Sequence, residues 1–307
     1  MSPYRRGLLQ VALAGVLWGT GGLAVQLIRR DQPLSPLVLS AERMLIGGTV
    51  MLALLALLPG GLRDLGGVLR RHPLGTPLIG ATTGAYQALY FVAVTQAGVA
   101  VATVVSLGVA PVLLAVHAAV RRRALPSPGE LLVLVTALTG LLLVSRPGGA
   151  IGPHPVRGVL LALASGTTYA VTTAVGRRIA MGARPTALAT GATLCGAVVL
   201  SPLLLVGGRR LPDGPVVTGW LLYLGVATMA GAYLLLYAGL RSVPAHTATL
   251  ASLLEPVTAA LVAGVVLDER IGLVAIVGVV LVLVAVAGLG RTGPDVTRTG
   301  QPVAPPA

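Results

Sequence analysis

The chain has 307 residues, of which 55% are hydrophobic and only 10% charged, against roughly 25% charged in a soluble globular domain. One soluble core cannot hide that much apolar surface, so lipid is the solvent for most of these side chains. All 22 basic residues are arginine and the net charge is +13, but the arginines fall in short clusters between apolar runs, the pattern of membrane-loop anchors, which argues against nucleic acid as a partner.

Apolar runs of helical length give ten predicted spans. The first, 8–27, follows "MSPYRRG", a segment like the start of a signal peptide, and "ALA" at 12–14 resembles a cleavage site. The apolar run continues to Leu27, so an uncleaved helix is expected. It carries Trp18 near its middle, and Gly15 with Gly19 form a small-residue face for close helix approach. The second span, 35–58, holds Glu42 and Arg43 in "LSAERMLIGG". Neighbours on a helix point about 100° apart, so one is expected to meet the bundle interior and the other the outer interface. A structural ion pair and a substrate role both fit them. "LPGGLRDLGGVLRRHP" at 58–73 reads as a loop.

The third span, 74–95, carries Tyr86 and Tyr90, spaced i, i+4 on one helix face, and a second glycine pair, Gly80 and Gly84. The fourth, 99–120, contains Pro111 and, near its end, His117. After the fifth, 129–145, a Pro/Gly-rich linker at 146–156 leads into the sixth, 157–176. Cys195, the single cysteine, lies in the seventh, 185–206. It forms no disulfide within the chain and belongs to no metal-ligand spacing, so a small buried hydrophobe is expected, with no metal and no cofactor. The eighth span, 216–240, repeats the tyrosine pair as Tyr233 and Tyr237.

The ninth span, 245–267, begins at "AHTATLASLLEPV" and places Glu255 about ten residues from either end. That is ~15 Å at the helical rise, too deep for a carboxylate to snorkel out. Pro256 removes a backbone N–H, which predicts an unpaired Ser252 carbonyl and a kink. Thr249 and Ser252 add small hydroxyls on the preceding turns, and His246 borders the span as a possible proton shuttle or a packing residue. Glu255 fits a partner for a substrate ammonium, a proton-coupling site, or a neutral carboxyl bonded to a neighbouring helix. The tenth span is 271–290, and the polar tail 291–307 reads as disordered.

The chain repeats itself. "GAYQALYFVAV" at 84–94 matches "GAYLLLYAGLR" at 231–241, and "ATVVSLGVAPVLLAVHAAV" at 102–120 matches "TATLASLLEPVTAALVAGV" at 247–265, with Pro111 over Pro256 and Ala110 over Glu255. The kink is therefore expected in both halves and the carboxylate in one. Halves of five spans, 8–145 and 157–290, enter the membrane from opposite sides because five is odd. Such inverted repeats are typical of secondary transporters with a midplane site between the halves. With residues 1–7 and 291–307 inside, fourteen arginines fall on the cytoplasmic side and seven on the other, which predicts an N-in, C-in topology.

These residues resemble the drug/metabolite transporter superfamily, EamA type. "LWGTGG" is similar to its first-helix Trp-Gly signature, Arg43 after "LSAE" to its second-helix arginine, and "LEPVTAALVAGVVLDERIGLVAIVGVVLVLVAV" to its Pro-helix, acidic turn and Gly-containing last helix. The first half departs from the pattern, having "RRRALPSPGE" in place of an acidic turn. The resemblance implies an all-α carrier of the bacterial inner membrane, often an exporter of amino acids or related metabolites. Its cavity is expected among Trp18, Tyr86, Tyr90, Tyr233, Tyr237, Thr249, Ser252 and Glu255, with Glu42, Arg43 and His246 in coupling or structural roles. The expected partners are a small-molecule substrate, the bilayer and protons. No phosphate-binding loop and no lysine occur, so an ion or substrate gradient is the expected energy source. An intramembrane hydrolase using Ser165 and a passive channel are the alternatives.

Overall fold

The computed structural model describes residues 1–32, 34–145, 152–206, 214–266 and 272–290. Every regular element among them is helical: α1 (Pro3–Asp31), α2 (Pro36–Leu57), α3 (Gly61–Arg71), α4 (Gly75–Ala97), α5 (Val99–Arg122), α6 (Pro128–Val144), α7 (Pro155–Ala180), α8 (Pro185–Val206), α9 (Gly214–Tyr223), a π-helical stretch Leu224–Gly231, α10 (Ala232–Leu240), α11 (Ala245–Ala251), α12 (Leu254–Val266) and α13 (Leu273–Leu289). The helix starts follow from local chemistry. The hydroxyls of Ser2, Ser35 and Ser127 cap α1, α2 and α6, each followed by proline in the first turn, where the missing N–H costs nothing. Ser127 and Glu130 close a reciprocal capping box.

Among the described residues, seven helices are long and apolar enough to cross a membrane: Pro3–Asp31, Pro36–Leu57, Val99–Arg122, Pro155–Ala180, Pro185–Leu205, Gly214–Leu240 and Ala245–Val266. Pro128–Val144 and Leu273–Leu289 are shorter apolar helices. α4 has the length, 23 residues, but is less apolar, carrying Thr82, Thr83, Gln87, Thr95 and Gln96. The bundle is built for lipid. Val277, Val280, Leu283 and Val284 of α13 point outward, while Thr83, Ser106, Ser165, Thr172, Thr173, Thr190, Thr193 and Thr228 are buried. Each of these hydroxyl types can satisfy itself on a helix carbonyl, as Thr83 does on Ile79 and Thr173 on Tyr169.

Packing between the two halves comes in matched pairs. α4 lies on α7 as α1 lies on α10, and α5 on α7 as α1 on α11 and α12. α4 on α8 corresponds to α2 on the π-helical stretch, while α2 with α8 and α6 with α13 are their own counterparts. Glycines permit these approaches. A methyl group at Gly140 would stand 2.9 Å from the Gly278 carbonyl oxygen, and one at Gly278 2.8 Å from that of Gly140.

Two expectations are corrected. The segment at 58–73 contains a helix, α3, because Leu65 and Val68 share one face and bury it, with α3 packed across α8. The Ser252 carbonyl is not left unpaired: it accepts from the Glu255 N–H at 2.9 Å. The ninth span is interrupted at Ser252–Leu253, the turn before Pro256, and α12 restarts at Leu254 with Pro256 in its first turn. α5 runs through Pro111 as one helix. The linker 146–151, the segment 207–213, the acidic turn 267–271 and the tail 291–307 lie outside the described residues.

Candidate functional site

The centre of the bundle is framed by two equivalent aromatic contacts. Trp18 of α1 meets Tyr233 of α10 edge-on, with ring centroids 5.3 Å apart and planes at 66°. Tyr169 of α7 meets Tyr86 of α4 at 5.1 Å and 30°. Tyr86 also stacks on Tyr90 at 6.4 Å, and Tyr233 meets Tyr237 at 6.1 Å with the planes tilted by 46°. Such geometries exploit the ring quadrupole, and the rigid faces suit flat or cationic groups.

Two charges project into this frame. Glu255 sits in the first turn of α12, where the helix dipole favours a carboxylate. It is half-buried and within electrostatic reach of Tyr86, Tyr90, Tyr169, Tyr233 and Arg43. Arg43 of α2 is also half-buried. Its Nε donates to Gln87 Oε1 at 2.9 Å, which uses one of the five guanidinium N–H groups and orients the remaining fork. The ion pairs under 4.0 Å among the described residues are Arg122–Glu130 and Arg184–Asp64. Arg43 and Glu255 therefore lie within electrostatic reach of each other and form no ion pair.

The glycines of α1 explain the close approach of the break. A methyl at Gly15 would lie 3.0 Å from the Ser252 carbonyl oxygen, and one at Gly19 2.5 Å from that of Glu255. Backbone packs on backbone here, which fixes the start of α12 against α1. Ser252 is tied on the other side, its hydroxyl 2.8 Å from the Tyr169 hydroxyl and donating to the Thr249 carbonyl at 2.9 Å.

The other predicted residues divide. Trp18, Tyr86 and Tyr90 are half-buried in the aromatic frame, and the Tyr90 hydroxyl is 2.8 Å from that of Thr103. Tyr237 is fully buried behind Tyr233, against Gly176. Thr249 is buried and donates to the His246 carbonyl of its own helix. His246 lies at the far end of α11, near Glu130, Arg122 and Arg177, nine residues from Glu255. Glu42 is only 7% exposed, so the expectation that one of Glu42 and Arg43 meets the outer interface is corrected: Arg43 turns to Gln87 of α4 and Glu42 is packed inside the protein. Ser165 is buried and donates to the Tyr86 carbonyl at 2.9 Å, which holds α7 on α4.

Tyr169 and Gln87 were not singled out by the sequence. For Tyr169 a signal exists: "GVLW" at 15–18 and "GTTY" at 166–169 both place an aromatic three residues after a glycine. Gly166 packs on the Ser106 carbonyl, where a methyl would stand 2.5 Å away, as Gly15 packs on that of Ser252. Gln87 has no such counterpart, since Leu234 stands in its place.

The EamA-like transporter family matches residues 5–146 and 156–291. The chain is 31% identical over 280 residues, 90% of each sequence, to "Uncharacterized transporter YwfM" of Bacillus subtilis. It is 30% identical over 274 residues, 87% of this chain and 88% of the relative, to "Uncharacterized protein PA1977" of Pseudomonas aeruginosa. A solved structure titled "Crystal structure of protein" superposes with a TM-score of 0.77 at 23% identity, covering 94% of this chain and 97% of that one, and so shares the fold.

Proposed function

Since the chain belongs to the EamA-like transporter family, we propose that it is a secondary active transporter that exports a small zwitterionic metabolite, an amino acid or related amine, across the bacterial inner membrane by alternating access. One observation carries the substrate class: Arg43 and Glu255 place opposite charges beside one cluster of aromatic rings with no ion pair between them. A zwitterion supplies the missing partner for each, its carboxylate to the guanidinium fork and its ammonium to Glu255 and the tyrosine faces. Trp18, Tyr86, Tyr90, Tyr169 and Tyr233 form the walls, Gln87 aims Arg43, and Tyr237, Thr249 and Ser252 support them from behind.

Ten spans in two inverted halves, 8–145 and 157–290, suit this reading. The matched packing pairs between halves support the repeat, and the two-to-one arginine bias supports N-in, C-in. Rocking of the halves would open the cavity alternately to each side. Glu255 is the candidate for proton coupling: a proton and a substrate ammonium compete for the same carboxylate, so each displaces the other.

The test is a thermal-stability screen of the purified protein across amino acids, amines, organic cations and nucleotide sugars. A ligand bound only by the folded state stabilises it by about 2.7 kcal/mol at a hundred times its Kd. Zwitterions are expected to raise the melting temperature of the wild type, and both Arg43→Gln and Glu255→Gln to lose that response. An undiminished response in both variants would overturn the substrate class.

A further inference from the structure

We infer that α3 is an in-plane interfacial helix that binds the headgroups of anionic phospholipids. Its sequence, "GLRDLGGVLRR", divides into three sectors at 100° per residue. Gly61, Leu65 and Val68 are buried, and α3 packs on α8 and α2. Leu62 and Leu69 lie beside that sector and are 55% and 36% exposed. Arg63, Arg70 and Arg71 occupy the opposite side and are exposed. One flank thus remains apolar and uncovered while the other is cationic, the distribution of a helix lying at the headgroup boundary with leucines down and arginines among phosphates.

The arginines are available. The one acid of the helix, Asp64, is held by Arg184 at the start of the α8 region, 2.8 Å away. None of Arg63, Arg70 and Arg71 has an ion pair among the described residues. Arg184, just before α8, is itself exposed, and α3 packs on α8. The net sign of this surface is strongly positive, and its complement at a bilayer is a phosphodiester. The apolar flank favours a lipid over a soluble anion, because Leu62 and Leu69, together with Leu57, Leu58 and Leu74 at the flanking turns, are exposed and acyl chains would cover them. The Asp64–Arg184 bond couples the helix to α8, which borders the central bundle, so lipid bound here bears on the transporting domain itself.

The test titrates the full-length protein, purified in an uncharged detergent, with phosphatidylglycerol or phosphatidylcholine, and reads bound lipid by native mass spectrometry and melting temperature. Phosphatidylglycerol is expected to bind the more tightly. The combined Arg63→Gln, Arg70→Gln, Arg71→Gln variant is expected to lose about fivefold per arginine, on the order of 100-fold together. Removing three other exposed arginines, Arg5, Arg6 and Arg241, should cost at most a few-fold. Leu62→Ser with Leu69→Ser should also weaken binding, and inorganic phosphate should not displace the lipid. Wild-type affinity in the triple variant overturns the inference, as does an equal loss in the control. Displacement by phosphate would make this a soluble-anion site instead. Should the triple variant fail to fold, Arg70→Gln alone decides, by losing about fivefold or nothing.

Discussion

The two prolines at equivalent places in the repeat behave differently. α5 passes Pro111 as one helix, whereas the ninth span is interrupted at Ser252–Leu253 and resumes with Pro256 in a first turn. A second contrast runs parallel: α4 is α-helical throughout, while its counterpart inserts the π-helical Leu224–Gly231 just before Tyr233. The halves share one scaffold and one aromatic frame. The second half departs from regular helix near Tyr233 and Glu255, and the first half contributes Arg43 and Gln87 from unbroken helices. The packing is symmetric and the charge is not, and the proposed zwitterion site rests on that asymmetry.

The largest test of that contrast is at the charges. Arg43→Gln and Glu255→Gln each remove one charge-assisted contact, worth about 1.5–3 kcal/mol, so ligand affinity from melting shifts should fall roughly 10- to 100-fold. Ala110→Glu, which copies the carboxylate into the first half, should not rescue Glu255→Gln if the break is what presents it. Next are the glycine contacts. Gly19→Ala and Gly166→Ala both drive a methyl to 2.5 Å from a carbonyl oxygen, an overpacking of about 1–3 kcal/mol. Chemical unfolding in detergent should show both losses, and Gly22→Ala, with nothing within 4 Å, should show little.

Smaller effects separate the supports. Gln87→Leu unpairs the Arg43 Nε and should cost about 1–2 kcal/mol of stability and weaken ligand binding. Tyr169→Phe deletes the bond to Ser252 and should cost about 1 kcal/mol, with Tyr90→Phe comparable through Thr103. The smallest change is expected from Pro256→Ala, within about 0.5 kcal/mol, because a first-turn proline blocks no helical bond. Pro111→Ala restores one and should raise the melting temperature of the same preparation. An equal response to the two prolines would erase the distinction between the halves.

The order of apolar runs, the arginine clusters and the paired Gly, Tyr and Pro motifs were enough to predict an all-helical membrane protein with an internal repeat, and its quoted motifs enough to suggest the family. Those features are local and periodic, so composition and spacing carry them. The amphipathic α3 was legible too, in Leu65 and Val68, but a loop-rich segment of glycine and arginine masks a helix whose stability comes from lying on α8. Three outcomes needed the tertiary structure. Neighbouring Glu42 and Arg43 differ in role because only the packing of α2 decides which of them meets Gln87. Tyr237 shares a face with Tyr233, yet Gly176 lets α7 close over it. And the glycine face of α1, at Gly15 and Gly19, lies against the Ser252 and Glu255 carbonyls of an interrupted helix. Partners of that kind are distant in the chain and close in space, and a helical period records which face a residue occupies, not what stands opposite.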